Sequence, residues 1–254
     1  MKPTVAAMRP TPRWASHVAT LLVLVAALAA SANPLFRPHR LSADFNAFYC
    51  AGMAIARGAD PYRAEPLGAC ERRQMSLQVV HVAAGVAMPA PLPPYALGPF
   101  VLLARLPYFW AFVLWSVAIG LATWATLFAL QRLTGIALPA LLATFALGTL
   151  VALELGQVAP FATAGIALSA YFANRRKAGL AALAAACAMV EPHVALPACL
   201  ALFIWLPATR TALGLAALAC LALSFSLTGP SVAFEYLRDV LPGHALSEVN
   251  NQQQ

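Results

Sequence analysis

Between residues 95 and 228 this chain is an almost unbroken succession of apolar runs, near 95 to 104, 108 to 131, 136 to 153, 158 to 173, 178 to 190, 194 to 206 and 211 to 228, separated by Pro, Gly or charge. A bilayer core needs about 20 apolar residues per helical crossing. Several of these runs approach that length and others are short, so the sequence leaves the count of spans open. Ahead of them, Trp14 to Ala32 is uncharged and preceded by Lys2, Arg9 and Arg13. With 61% hydrophobic and 10% charged residues, against roughly 25% charged in a soluble domain, the chain reads as an all-α, polytopic integral membrane protein. The net charge of +7 is spread between apolar runs as topology signals are, which argues against nucleic acid as a partner.

Positive residues stay on the cytoplasmic side, which orients the map. Residues 1–32 read as a cytoplasmic N-terminus and first transmembrane helix, an uncleaved anchor. Ala30-Ser31-Ala32 also resembles a signal-peptide cleavage site. Residues 33–91 read as a large extracytoplasmic loop, 92–228 as a transmembrane helical bundle and 229–254 as a second extracytoplasmic loop. Treating 92–106 as a re-entrant or half-inserted helix puts Arg132, Arg175-Arg176-Lys177 and Arg210 inside together. The turns at Glu154–Gln157 and Glu191–His193 then emerge on the same outer face as Asp44. Ionisable groups near membrane depth are costly and face a cavity or a partner, which makes Glu154 and Glu191 site candidates.

Within the first loop, Phe45, Phe48, Tyr49, Gly52, Met53 and Ala56 recur at helical spacing, so residues 43–57 are expected to form an interfacial helix with one apolar stripe. Gly58 and Asp60-Pro61 end it. Asp44 at its start is a candidate general base, and an N-cap role is open to Ser42 or Asp44. Cys50 and Cys70 share this loop, and an oxidising compartment permits a disulfide between them. Cys187, Cys199 and Cys220 lie in apolar runs and read as small buried hydrophobes. Tyr108, Phe109, Trp110, Phe112 and Trp115 read as an interfacial aromatic belt.

Asp44-Phe45 with Phe48-Tyr49, then Gly58-Ala59-Asp60-Pro61-Tyr62, Pro93-Pro94-Tyr95, Trp115, Gly156-Gln157-Val158 and Val190-Glu191-Pro192, in that order, resemble glycosyltransferase family 87 from about Asp44 onward. The resemblance implies a GT-C-like helical bundle with a juxtamembrane helix in its first outer loop. It also implies transfer of a mannose-like sugar from a polyprenyl-phosphate donor to a lipid or glycan acceptor on the extracytoplasmic face of a bacterial cytoplasmic membrane. Asp44 takes the role of catalytic base. Tyr49, Asp60, Tyr62, Arg63, Glu154, Gln157, Glu191 and His193 become substrate-binding candidates. No cofactor or metal is implied.

Two departures stand out. Glu191 occupies the place of a family lysine suited to the donor phosphate, so in a family-like donor site the cation is expected from Arg37, Arg40, Arg57, Arg63, Arg72, Arg73, His193 or Arg238; in a rebuilt site Glu191 would instead pair an arginine such as Arg63 or Arg238. Family members also run on through further helices, so the chain resembles a C-terminally truncated one. A degenerate or scaffolding protein is the alternative; a lipid-linked-sugar transporter or flippase fits less well, because the charges fall at the ends of the apolar runs.

Overall fold

The computed structural model describes residues 43–75 and 90–243. The Trp14–Ala32 anchor, Ser42, Arg37, Arg40 and the final polar stretch lie outside the described residues. The described residues are helical, with no strand among them. In chain order the helices are α1 (Ala43–Ala56), α2 (Ala64–Met75), a 3-10 turn (Pro94–Leu97) running into α3 (Gly98–Leu103), α4 (Tyr108–Thr134), α5 (Leu138–Leu155), α6 (Ala159–Asn174), α7 (Ala178–Ala188), α8 (Pro192–Trp205) and α9 (Arg210–Glu235). Three segments, Tyr108–Thr134, Leu138–Leu155 and Pro207–Gly243, are long and apolar enough to cross a membrane. The protein is an all-α membrane protein.

The helix expected to lie on the membrane surface is instead a core element. Phe45, Asn46, Ala47, Phe48, Tyr49, Cys50, Ala51 and Gly52 are all buried, which leaves α1 with no wet face in this stretch. The reason is legible in hindsight: Ala, Gly and Cys fill the positions between the aromatics, and a helix that is apolar all round is a buried one. α1 packs on α3 and α2. Gly52 meets the α3 backbone at Phe100, where no Cβ fits. A disulfide joins Cys50 to Cys70 with the Cα atoms 5.7 Å apart, tying α1 to α2.

The rings of Phe45 and Phe100 anchor this packing. Phe45 lies 5.4 Å from Phe112, 5.5 Å from Tyr108 and 6.4 Å from Trp115, while Phe100 sits 4.6 Å from Trp115, which stacks on Phe161 at 4.7 Å. The expected aromatic belt therefore splits. Phe109 and Trp110 face outward, but Tyr108, Phe112 and Trp115, at i, i+4 and i+7, turn inward onto α1. Each such ring pair contributes about 0.5–1.5 kcal/mol beyond its buried area.

Pro94–Leu103 spans ten residues, which at 1.5 Å each is about 15 Å, half a hydrocarbon core. From Pro107 the chain enters α4, and α4, α6 and α7 then pack side by side. α6 and α7 approach closely because small residues line both: Gly165 faces the backbone of Ala184 and Ala188, and Ala181, Ala182, Ala185 and Ala188 are buried. Without a hydrophobic drive between helices in lipid, this close van der Waals contact is what holds them. α9 does not stop where a loop was expected from residue 229. It bends at Gly229 and Pro230, which cannot donate to the helix ladder, and stays helical to Gly243.

Gly52 and Gly148 separate packing from propensity. A Cβ at residue 52 meets immovable backbone, whereas one at 148 meets open space. Gly52→Ala is expected to lower the unfolding midpoint in detergent by the equivalent of about 1–3 kcal/mol, as overpacking does, and Gly148→Ala to leave it level or raised. Equal midpoints for the two variants would refute the close α1–α3 contact.

Candidate active site at the Asp44 end of the bundle

Asp44 lies in the first turn of α1, half-buried, where a carboxylate also meets the favourable end of the helix dipole. Its neighbour Phe45 fills the core, and the two residues hold the turn between α5 and α6 from either side. α5 ends at Gly156 with φ +78°, a conformation that glycine takes without strain. The same glycine has Phe45 against it, so a side chain at 156 has nowhere to go. Trp115 Nε1 donates to the Gly156 carbonyl at 2.9 Å, fixing the turn to α4. Gln157 follows, and its side chain hydrogen-bonds the Asp44 carboxyl.

Burial pushes the Asp44 pKa up from the ordinary carboxylate value, and the Gln157 hydrogen bond opposes that shift by favouring the charged form. The result is a carboxylate with raised basicity and the Gln157 side chain beside it. Glu154 is half-buried one turn earlier on α5, at the same end of the bundle.

A second group surrounds the segment before α3. Three tyrosine hydroxyls donate to backbone carbonyls there: Tyr62 to Leu92 at 2.8 Å, Tyr236 to Pro91 at 3.2 Å and Tyr95 to Met189 at 2.7 Å. The Tyr62 and Tyr236 rings lie 5.5 Å apart. Asp60 shapes the approach, accepting from the Tyr62 backbone N–H at 2.9 Å and from Arg63 Nε at 3.1 Å. Tyr49, by contrast, is deep in the core, with its hydroxyl on the Leu106 carbonyl. These contacts give Tyr49, Asp60, Tyr62 and Arg63 positioning work within the protein.

Below the Tyr95–Tyr236 segment opens an apolar cavity of about 550 Å³ between α8 and α9. Its lining runs from Met189, Pro192 and Tyr236 at the Asp44 end to Phe203 and Leu213 farther along the bundle. The sequence pointed to the start of α8 through Glu191 and His193, but not to Tyr236 or to α9 as site elements. The aromatic nature of Tyr236 was visible in the sequence, but its meeting with residues 62 and 91 was not. Cys199 and Cys220 line this cavity and Cys187 is exposed, correcting the expectation that all three are buried.

Glu191 sits half-buried at the start of α8, beside the cavity residue Pro192. Burial raises its pKa and the nearby His193 works in the opposite direction. The alternative pairing with Arg63 or Arg238 is not what the structure contains: Arg63 holds Asp60 at 3.1 Å and Arg238 holds Asp239 at 2.7 Å. Short range decides both cases, since each arginine reaches a carboxylate within three residues of itself. Arg72 is likewise bound to Glu65, at 2.9 Å.

A model of glycosyltransferase family 87 matches residues 92–254. The chain belongs to this family. It is therefore a membrane glycosyltransferase by family, and its substrates are a sugar donor and an acceptor. The matched region begins at Leu92, so it contains Trp115, Gln157 and Glu191 but not α1 with Asp44. No curated protein and no solved structure matches the chain.

The burial of Asp44 and its contact with Gln157 can be read chemically. Carbodiimides modify protonated carboxyls, so Asp44 is expected to remain reactive at pH values above those at which an ordinary aspartate, with a pKa of about 3.9, has ionised. Gln157→Leu removes the contact that favours the anion and should extend that reactivity to still higher pH. Peptide mass spectrometry across a pH series reads both. Identical profiles for the wild type and the variant would show that Gln157 does not hold the carboxylate.

Proposed function

We propose that this glycosyltransferase moves a mannose-like sugar from a polyprenyl-phosphate donor to a lipid or glycan acceptor on the extracytoplasmic face, as a GT-C-type enzyme with Asp44 as general base. The observation that carries this reading is the half-buried Asp44 carboxyl, of raised pKa, held by Gln157 at the rim of the bundle. An acceptor hydroxyl must lose its proton as it attacks the anomeric carbon, and a carboxylate with elevated basicity is suited to take it. Attack from the face opposite the departing polyprenyl phosphate inverts the anomeric centre.

The apolar cavity supports the donor assignment. Its volume of about 550 Å³ falls within the ordinary range of ligand sites, roughly 300–1,000 Å³. Its lining has the apolar chemistry an isoprenoid chain requires, with the polar tyrosine segment at one end. The helix N-terminus at Pro192 and the exposed His193 are the groups proposed to meet the phosphate, since a helix start favours anions. Glu191 weakens that pole while it is charged. Its upward pKa shift lessens the repulsion under mildly acidic conditions.

The proposed topology places Asp44, Gln157 and Glu191 outside and Arg132, Arg175 and Arg210 inside. It crosses at α4, α5, α6, α7, α8 and α9, in a multi-pass arrangement. α7 is only 11 residues long, so its crossing relies on the turns at both ends to complete the span.

Asp44→Asn is expected to reduce transfer from a radiolabelled polyprenyl-phosphate mannose by about 100-fold to 10,000-fold, with unchanged membrane insertion and thermal stability. Full activity would remove Asp44 as base. Loss of transfer by the wild-type full-length protein across a panel of lipid-linked sugars would instead favour the degenerate or scaffolding reading.

Topology is tested separately by thiol accessibility. In a background that keeps the Cys50–Cys70 disulfide and replaces the other three cysteines, exposed positions 69 and 193 are expected to react with an impermeant maleimide from outside, and position 176 only after permeabilisation. Reaction at 176 in intact cells would invert the map.

A further inference from the structure

The end of the bundle opposite Asp44 carries cations with no internal counter-charge. Arg132 ends α4, Arg175, Arg176 and Lys177 form the turn from α6 to α7, and Arg210 starts α9; all five side chains are exposed. Every described acidic residue lies at the Asp44 end, in α1, α2, their connection, the last turn of α5, the turn after α7, or the kinked end of α9. Residues 1–43 contain no Asp or Glu at all. The three ion pairs noted above are likewise confined to the Asp44 end.

Three of these cations lie over aromatic rings, Arg210 over Phe203 among them, and the other two share one pair of rings. The Arg132 guanidinium lies over the Phe128 ring at 5.3 Å, and that of Arg175 lies over the Tyr171 ring at 5.3 Å. The two rings meet edge-on at 5.7 Å. A stacked guanidinium keeps its N–H edge free for an anion while losing some of its motion. α4 and α6 thus present two prepared arginines across one aromatic bridge.

An apolar track leads to them. Leu121, Trp124 and Phe128 are 65%, 57% and 37% exposed and recur with Arg132 at intervals of three or four residues, which places all four along one face of α4. A free phosphate has no use for that track. A lipid does, because its acyl chain can lie along Leu121 and Trp124 while its headgroup reaches the arginines.

We propose that the α4–α6 face at this end is a binding site for an anionic phospholipid, with the lipid phosphate between Arg132 and Arg175 and an acyl chain along Leu121, Trp124 and Phe128. The site lies at the far end of the bundle from Asp44 and is independent of the transfer reaction. Basic residues at an anionic lipid surface are worth about fivefold each in binding, so two prepared arginines predict a preference of about 25-fold over a zwitterionic lipid.

Native mass spectrometry of the full chain, offered equal phosphatidylglycerol and phosphatidylcholine with the same acyl chains, tests this. Phosphatidylglycerol should be retained about 25-fold better, and the preference should vanish in the Arg132→Gln, Arg175→Gln double variant. Arg105→Gln, at the Asp44 end, should keep it. If the double variant unfolds, a salt series on the wild-type protein decides the matter, because the preference must fall between 0.1 and 0.5 M salt as screening shortens. Equal retention of the two lipids, an unaltered preference in a folded double variant, or no response to salt would overturn the proposal. So would complete displacement of the lipid by millimolar inorganic phosphate, which would make this a free-anion site.

Discussion

Everything at the Asp44 end depends on the contact between Phe45 and Gly156. Phe45 is fully buried and touches rings from α1, α3 and α4, while Gly156 leaves the space that its side chain and backbone occupy. Because the helix α1 is held there, Asp44 arrives beside Gln157. Because Trp115 bonds the Gly156 carbonyl, the same turn is fixed to α4. A side chain at 156 would displace Phe45 and, with it, the carboxylate.

The site is accordingly built from chain segments far apart in sequence, held by packing in the core and by polar ties at the rim. Tyr62, Tyr95 and Tyr236 each spend a hydroxyl on a backbone carbonyl. The Tyr62 and Tyr236 bonds satisfy the irregular backbone at Pro91 and Leu92, and the Tyr95 bond ties the same segment to the Met189 carbonyl after α7. The disulfide holds α2 to α1 from the other side. Below, the α8–α9 cavity remains apolar because most of the residues facing it are Ala, Leu, Phe, Pro and Cys. A polar rim thus lies above an apolar recess.

The two ends of the bundle differ in how they treat charge. At the Asp44 end, arginines are spent locally on Asp60, Glu65 and Asp239. At the far end they rest on aromatic rings, with no carboxylate near in sequence. The asymmetry follows from the placement of nine acidic residues in a chain of 254. It leaves one end of the bundle with locally paired charges and the other with exposed cations alone.

The sequence alone determined that the chain is an all-α membrane protein and located most of its helices within a few residues, because apolar runs bounded by Pro, Gly and charge have one physical solution in lipid. It also made Asp44 stand out, since a carboxylate is rare and costly in such a composition. The family resemblance reached Gln157 and Glu191 through their motifs. Only the tertiary structure decided that α1 is buried instead of interfacial, because its weak amphipathic pattern does not say whether Ala and Gly face water or another backbone. Contacts likewise decided that Arg63 and Arg238 pair with Asp60 and Asp239, since a side chain's partner depends on distances that spacing does not encode. The inward turn of Trp115 and Phe112, the continuation of α9 past Pro230 and the cavity beside Tyr236 belong to the same class. Each is set by how separate helices meet.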